Sequence, residues 1–156
     1  GAGGAARAAL WGLLRSGISS VDIGVRTIEK GQMLCRDFTM DADVHAYRFD
    51  DSAFSTALSC ADIVVQTTPM GMTPDIEKMP PVDIAAIHPA SVLYDLIYTP
   101  DNTCFLREGA ARGHETINGE RMLVAQGAEA FFLWTGVRPD TSLMKRVLRE
   151  ELVRRG

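Results

Sequence analysis

Five short stretches carry residue types that chemistry could use. The first is Gly1-Ala-Gly-Gly-Ala-Ala-Arg7, in which Gly1, Gly3 and Ala6 fit the spacing G-x-G-x-x-G/A. In a strand-turn-helix unit the first small residue allows a tight turn and the second lets backbone approach a pyrophosphate. The third lets the helix pack close to the sheet. Amides at the helix start then point at the phosphates. The second stretch is Val25-Arg26-Thr27, with Lys30 beyond it. No acid stands there to hold a ribose 2′-hydroxyl, whereas a guanidinium can hold a 2′-phosphate bidentately. The residues therefore favour NADP, against the competing reading that Arg26 and Lys30 are solvated surface charges. The third is Gln66-Thr-Thr-Pro-Met-Gly-Met72, the fourth Asp95-Leu-Ile-Tyr98 with Pro100, and the fifth Gly119-x-x-Met122-Leu-x-x-Gln126-Gly127.

These stretches need elements to position them. Gly3 to Ser16 reads as a helix with Leu10, Trp11, Leu13 and Leu14 on its apolar face, closed by Gly17. Val21–Val25 alternates as a strand, and Thr27 is placed to cap a helix over Ile28 to Phe38. His45–Phe49 is a weaker strand, followed by a short helix from Asp50 to Cys60 capped by Asp50 or Asp51. Asp62–Val65 is a compact apolar strand of the buried parallel kind. The prolines between Thr73 and Pro81 demand a loop. Ser91–Asp95 is a strand, Thr103–Arg112 a helix burying Phe105, Leu106 and Ala110, and His114–Ile117 a short strand. Glu120–Trp134 is a helix, and Pro139 opens a last one near its N1 position with Leu143, Val147 and Leu148 turned inward.

Helices alternating with short apolar strands predict an α/β domain: a Rossmann-like, doubly wound parallel sheet with helices on both faces. The five stretches then converge at strand C-termini and helix N-termini, where open α/β sheets place ligands. No strand precedes Gly1, so this sheet is expected to lack its first strand. The length of 156 residues, 46% hydrophobic and 23% charged, suits one globular domain, residues 1–156. A net charge of −4 gives no footprint for nucleic acid, and no apolar run is long enough for a membrane span. Cys35, Cys60 and Cys104 are scattered, as are His45, His88 and His114. No metal site is expected, and a reducing cytoplasm is.

In these motifs and their order the chain resembles the NADP-binding C-terminal domain of the shikimate dehydrogenase (shikimate/quinate dehydrogenase) family. Phe131 and Trp134-Thr-Gly136 match as well. The resemblance implies an oxidoreductase that interconverts 3-dehydroshikimate and shikimate with NADP(H). It assigns the pyrophosphate to the amides of Gly1, Ala2, Gly3, Gly4, Ala5 and Ala6, and the 2′-phosphate to Arg26 and Thr27, helped by Lys30. Thr67, Thr68 and Met72 would line the cofactor cleft, and Gly119 and Met122 would border the nicotinamide. Tyr98 and Gln126 would reach the small-molecule substrate, to which they can donate and accept hydrogen bonds without adding charge. Plainer roles compete: Met122 as core, Gln126 serving backbone, Tyr98 packing its ring with its hydroxyl in water.

The chain departs from the family pattern at Val25 and Gln66, where Asn is usual, and at Met70 and Thr99. The family's catalytic Lys–Asp pair belongs to an N-terminal domain, and no residue here can be assigned to it. The expected partner is therefore that missing domain, and the 156 residues alone are expected to be inactive. A quinate/shikimate paralogue and a non-catalytic nucleotide-binding module are the alternative readings.

Overall fold

The computed structural model describes residues 1–38 and 43–155, the side chain of residue 155 excepted. Elements follow in the order α1 (Gly4–Arg15), β1 (Ser20–Val25), α2 (Ile28–Arg36), β2 (Asp43–Arg48), α3 (Ser52–Leu58) and β3 (Ile63–Gln66). Then come β4 (Val92–Asp95), α4 (Cys104–Ala111), β5 (Glu115–Ile117), α5 (Glu120–Thr135) and α6 (Thr141–Arg155), with a single 3-10 turn at Ile84–Ala86. All strand pairs among the described residues are parallel. They form two sheets, β2–β1 and β3–β4–β5.

Successive strand residues face opposite ways, and β1 uses both faces. Ile23 and Val25 pack with Ala6 and Leu10 of α1, Leu34 of α2, and Phe38 just beyond it. Gly24, between them, faces α3, where an added Cβ would lie 2.4 Å from the Phe54 ring. On that side Phe54 and Leu58 join Leu93, Phe105 and Leu106 in a second cluster. The expected layering, helices on both faces of a parallel sheet, is thus present.

β1 and β3 are each hydrogen-bonded to a neighbouring strand on one side only. Their other edges flank one mostly apolar cavity of about 570 Å³, lined also by Leu10, Leu13, Phe54 and Phe105. Gly1 crosses the mouth of this cavity. Its amino nitrogen donates to Gly24 O of β1 at 2.7 Å, and a Cβ on it would lie 3.1 Å from Thr68 Cγ2 beyond β3. The open edges of the β2–β1 and β3–β4–β5 sheets thus face one cavity.

Several local expectations need correction. Gly109, not Ala110, is the small residue that lets α4 approach the sheet, because Leu93 Cδ1 would lie 2.2 Å from a Cβ at that position. Trp11 is exposed and covered by the Arg15 guanidinium, 4.7 Å from the ring. Pro139 precedes α6 and Asp140 caps it, its Oδ1 accepting from the Ser142 and Leu143 amides. Leu143 and Val147 face outward. α6 is oriented instead by Lys145 and Arg149, which turn toward buried Glu120 at the start of α5. Thr27 occupies the N-cap position of α2, but its side chain makes no capping bond.

Candidate functional site

The C-terminal ends of the strands carry every stretch singled out above. Beyond β1 lie Arg26 and Thr27, beyond β3 Thr67 and Thr68, beyond β4 Tyr98, and beyond β5 Gly119. α1 starts at the same edge through Gly1, which touches both sheets.

The α1 terminus fits a phosphate-bearing ligand. Its N-cap, Gly3, offers no side-chain bond to the first-turn amides, and no acidic residue occupies that turn. An added Cβ at Gly3 or Gly4 would meet nothing within 4 Å, and neither residue has positive φ. Neither packing nor backbone conformation requires glycine there. The bare backbone leaves room for a ligand to approach closely. Arg26, Thr27 and Lys30 all lie at the turn from β1 into α2, Arg26 and Lys30 exposed, and α2 adds its own N-terminal amides.

The loop after β3 is shaped from within by Gln66. Its Nε2 donates to Met70 O at 2.9 Å and its Oε1 accepts from the Thr68 amide. Gln66 is buried, so it is a frame for the loop and not a ligand-facing group. Gly71 has φ of +96°, which glycine adopts without strain. Thr67 and Thr68 lie against Gly1, while Met72 is 48% exposed.

The β4 and β5 ends are joined. Gly119 N donates to Ile97 O at 2.9 Å, and a Cβ on Gly119 would lie 2.0 Å from Leu96 O. Here glycine serves contact alone, since φ is −76°. This contact sets the Tyr98 loop against the start of α5. Tyr98 is half-buried, and its hydroxyl has no partner among the described residues. Met122 is half-buried. Gln126 is exposed about two turns along α5, and its side-chain amide bonds to no described residue, so a backbone-serving role is not what it has. The structure brings Gly1, Thr67 and Thr68 together and sets Gly119 against the Leu96–Ile97 backbone that leads into Tyr98. Gln126 shares the helix that Gly119 opens but not that contact.

The side chains of three buried polar residues have structural roles that their spacing in the sequence does not reveal. They are Gln66, Asp95 and Thr103. Asp95 is fully buried. Its Oδ1 accepts from the Ile97 amide at 2.9 Å and its Oδ2 from the Thr103 hydroxyl at 2.7 Å. Burial pushes its carboxyl above the usual range, against the pull of those two donors. Glu120, also buried, is held below the usual carboxylate range chiefly by the bidentate Arg149 guanidinium, at 2.6 and 2.9 Å. Among the described residues no His, Cys, Asp and Glu cluster could hold a metal ion, and no helix is long and apolar enough to cross a membrane.

Parallel strands with phosphate-type helix termini at their C-terminal edge define the class of Rossmann-like nucleotide-binding domains. The Shikimate 5'-dehydrogenase C-terminal domain family matches residues 119–149. A shikimate dehydrogenase (NADP(+)) of Desulforamulus reducens is 38% identical over 99% of this chain and 54% of its own length. That of Geobacillus kaustophilus is 40% identical over 99% and 54%. The crystal structure of the Thermus thermophilus shikimate 5-dehydrogenase in complex with NADP(H) and shikimate superposes with a TM-score of 0.82. It is 33% identical and covers 96% of this chain and 52% of that one. Over nearly its whole length the chain is similar to shikimate dehydrogenases. It spans about half the length of the curated relatives it matches.

Proposed function

We propose that this chain is the cofactor half of an NADP-dependent oxidoreductase that interconverts 3-dehydroshikimate and shikimate in the cytoplasm. The observation that carries the proposal is the glycine pair at the start of α1, bare without a structural need, at the same edge as Arg26, Lys30 and Tyr98. Bound NADP(H) would supply or accept the hydride. The amides at the start of α1 bind its pyrophosphate, Gly1 excepted because its nitrogen is already bonded to Gly24 O, and Arg26, Thr27 and Lys30 hold its 2′-phosphate. Thr67, Thr68 and Met72 line the cleft, and Gly119 and Met122 border the nicotinamide. Tyr98 and Gln126 orient the substrate by hydrogen bonds. The hydride adds to the ketone carbon, and the proton taken up by the ketone oxygen comes from a Lys–Asp pair in an N-terminal domain, on the substrate's other wall. That domain is the proposed partner, and a strand leading into Gly1 fills the cavity between β1 and β3. The names of the relatives and their roughly twofold greater length support this division.

The test is a titration of the NADP-saturated protein with shikimate, followed by NMR. Substrate-dependent shifts are expected at Tyr98 and Gln126. Their absence, with NADP still bound, would mark a nucleotide-binding module without this substrate.

A further inference from the structure

The loop between β4 and α4 carries Tyr98, and both of its ends are tied to one buried carboxylate. Asp95 closes β4, and Thr103 caps α4 eight residues later. One carboxylate oxygen holds the amide of Ile97, the residue before Tyr98. The other holds the Thr103 hydroxyl, which itself accepts from the Leu106 amide at 3.4 Å. Asp95 and Thr103 are both 0% exposed, so no water competes for these bonds. The start of the loop is fixed independently by Leu96 N to Gln66 O and Gly119 N to Ile97 O. Asn118 Nδ2 donates to the Asp101 carbonyl and carboxylate farther along. Tyr98 thus stands on a braced backbone while its own hydroxyl is left without a partner among the described residues.

We propose that Asp95 is a positioning residue for Tyr98: by bridging Ile97 and Thr103 it sets the substrate-facing loop before substrate arrives. This rests on the reading of Tyr98 as a substrate contact. Holding a contact in place ahead of binding matters because misplacement of about 1 Å can cost about a hundredfold in rate. The phosphate-side stretches at Gly1–Ala6 and Arg26–Lys30 share no bond with Asp95, so its loss is expected to fall on the substrate more than on NADP affinity, Gly119 on Ile97 O being the nearest cofactor-side residue.

The full-length enzyme provides the experiment. Asp95→Asn retains an oxygen for Ile97 but cannot accept from Thr103 with its amide nitrogen. Thr103→Val removes the donor, and Thr103→Ser keeps it. Asp95→Asn and Thr103→Val are expected to lower kcat/KM for shikimate about ten- to a hundredfold, with NADP affinity within about twofold of wild type and Thr103→Ser keeping the parent value. Added to Tyr98→Phe, either variant should cost little more, because the two act through one contact. Equal loss in Thr103→Ser and Thr103→Val, or full additivity with Tyr98→Phe, would overturn the proposal. So would unchanged kinetics in both Asp95→Asn and Thr103→Val beside an impaired Tyr98→Phe, leaving the substrate reading intact. A harmless Tyr98→Phe would overturn the substrate reading and this proposal with it. Thr103→Val keeps the experiment decisive if Asp95→Asn does not fold.

Discussion

Arg26 shows how much one residue can decide. It stands where an acid would select an unphosphorylated ribose, and Thr27 beside it leaves its hydroxyl uncommitted at the α2 N-cap. Losing a charge-assisted bond costs about 1.5–3 kcal/mol, roughly ten- to a hundredfold in affinity. Arg26→Ala is therefore expected to weaken NADPH binding by that factor while leaving NADH nearly unchanged, as measured by fluorescence titration of both. Equal losses would remove the 2′-phosphate from this residue. Arg26 was legible as an exposed charge after a strand, because a cation needs no fold to declare its charge. Asp95 was not, because an Asp at the end of a strand reads as an ordinary polar terminus until the loop beyond it is seen to close back on its carboxylate.

Helix α6 is the element whose placement the pattern of apolar residues misjudged. Leu143 and Val147 are exposed, and Met144 and Leu148 are half-buried. The orientation follows an ion pair: Arg149 grips Glu120, with Lys145 4.0 Å away. The sign of its pH dependence follows from the lowered Glu120 carboxyl. A carboxylate whose folded value is depressed contributes stability present above its unfolded value of about 4.3. That contribution is lost as pH falls through the lower folded value. Hydrogen exchange in α6 should therefore accelerate below about pH 4, and Glu120→Gln should abolish that acid-dependent step while starting from faster exchange at neutral pH. An unchanged acid step in Glu120→Gln would show that another group loosens the helix. By contrast α1 ends where its sequence signal put it, since Gly17 follows the helix at positive φ.

At the scale of the whole molecule the cavity between β1 and β3 is the feature with the largest consequence. The open edges of β1 and β3 flank it, and buried backbone groups left unpaired cost about 1–3 kcal/mol each, against a total stability of about 5–15 kcal/mol. The 156 residues assayed alone are expected to show no measurable reduction of 3-dehydroshikimate. Addition of a separately expressed N-terminal half, ending in a strand that pairs with β1 and β3, is expected to restore it. Full activity of the chain alone would place the proton donor within these residues. Alternation of helices and apolar strands, the small residues opening α1 and the cation after β1 were all determined by sequence, because propensity, steric size and charge are local properties. Tertiary structure decided the rest. Which edge of β1 stays open, which face of α6 turns inward, and what Asp95 and Glu120 hold depend on partners 8 and 29 residues away, or farther, met only when the chain closes on itself.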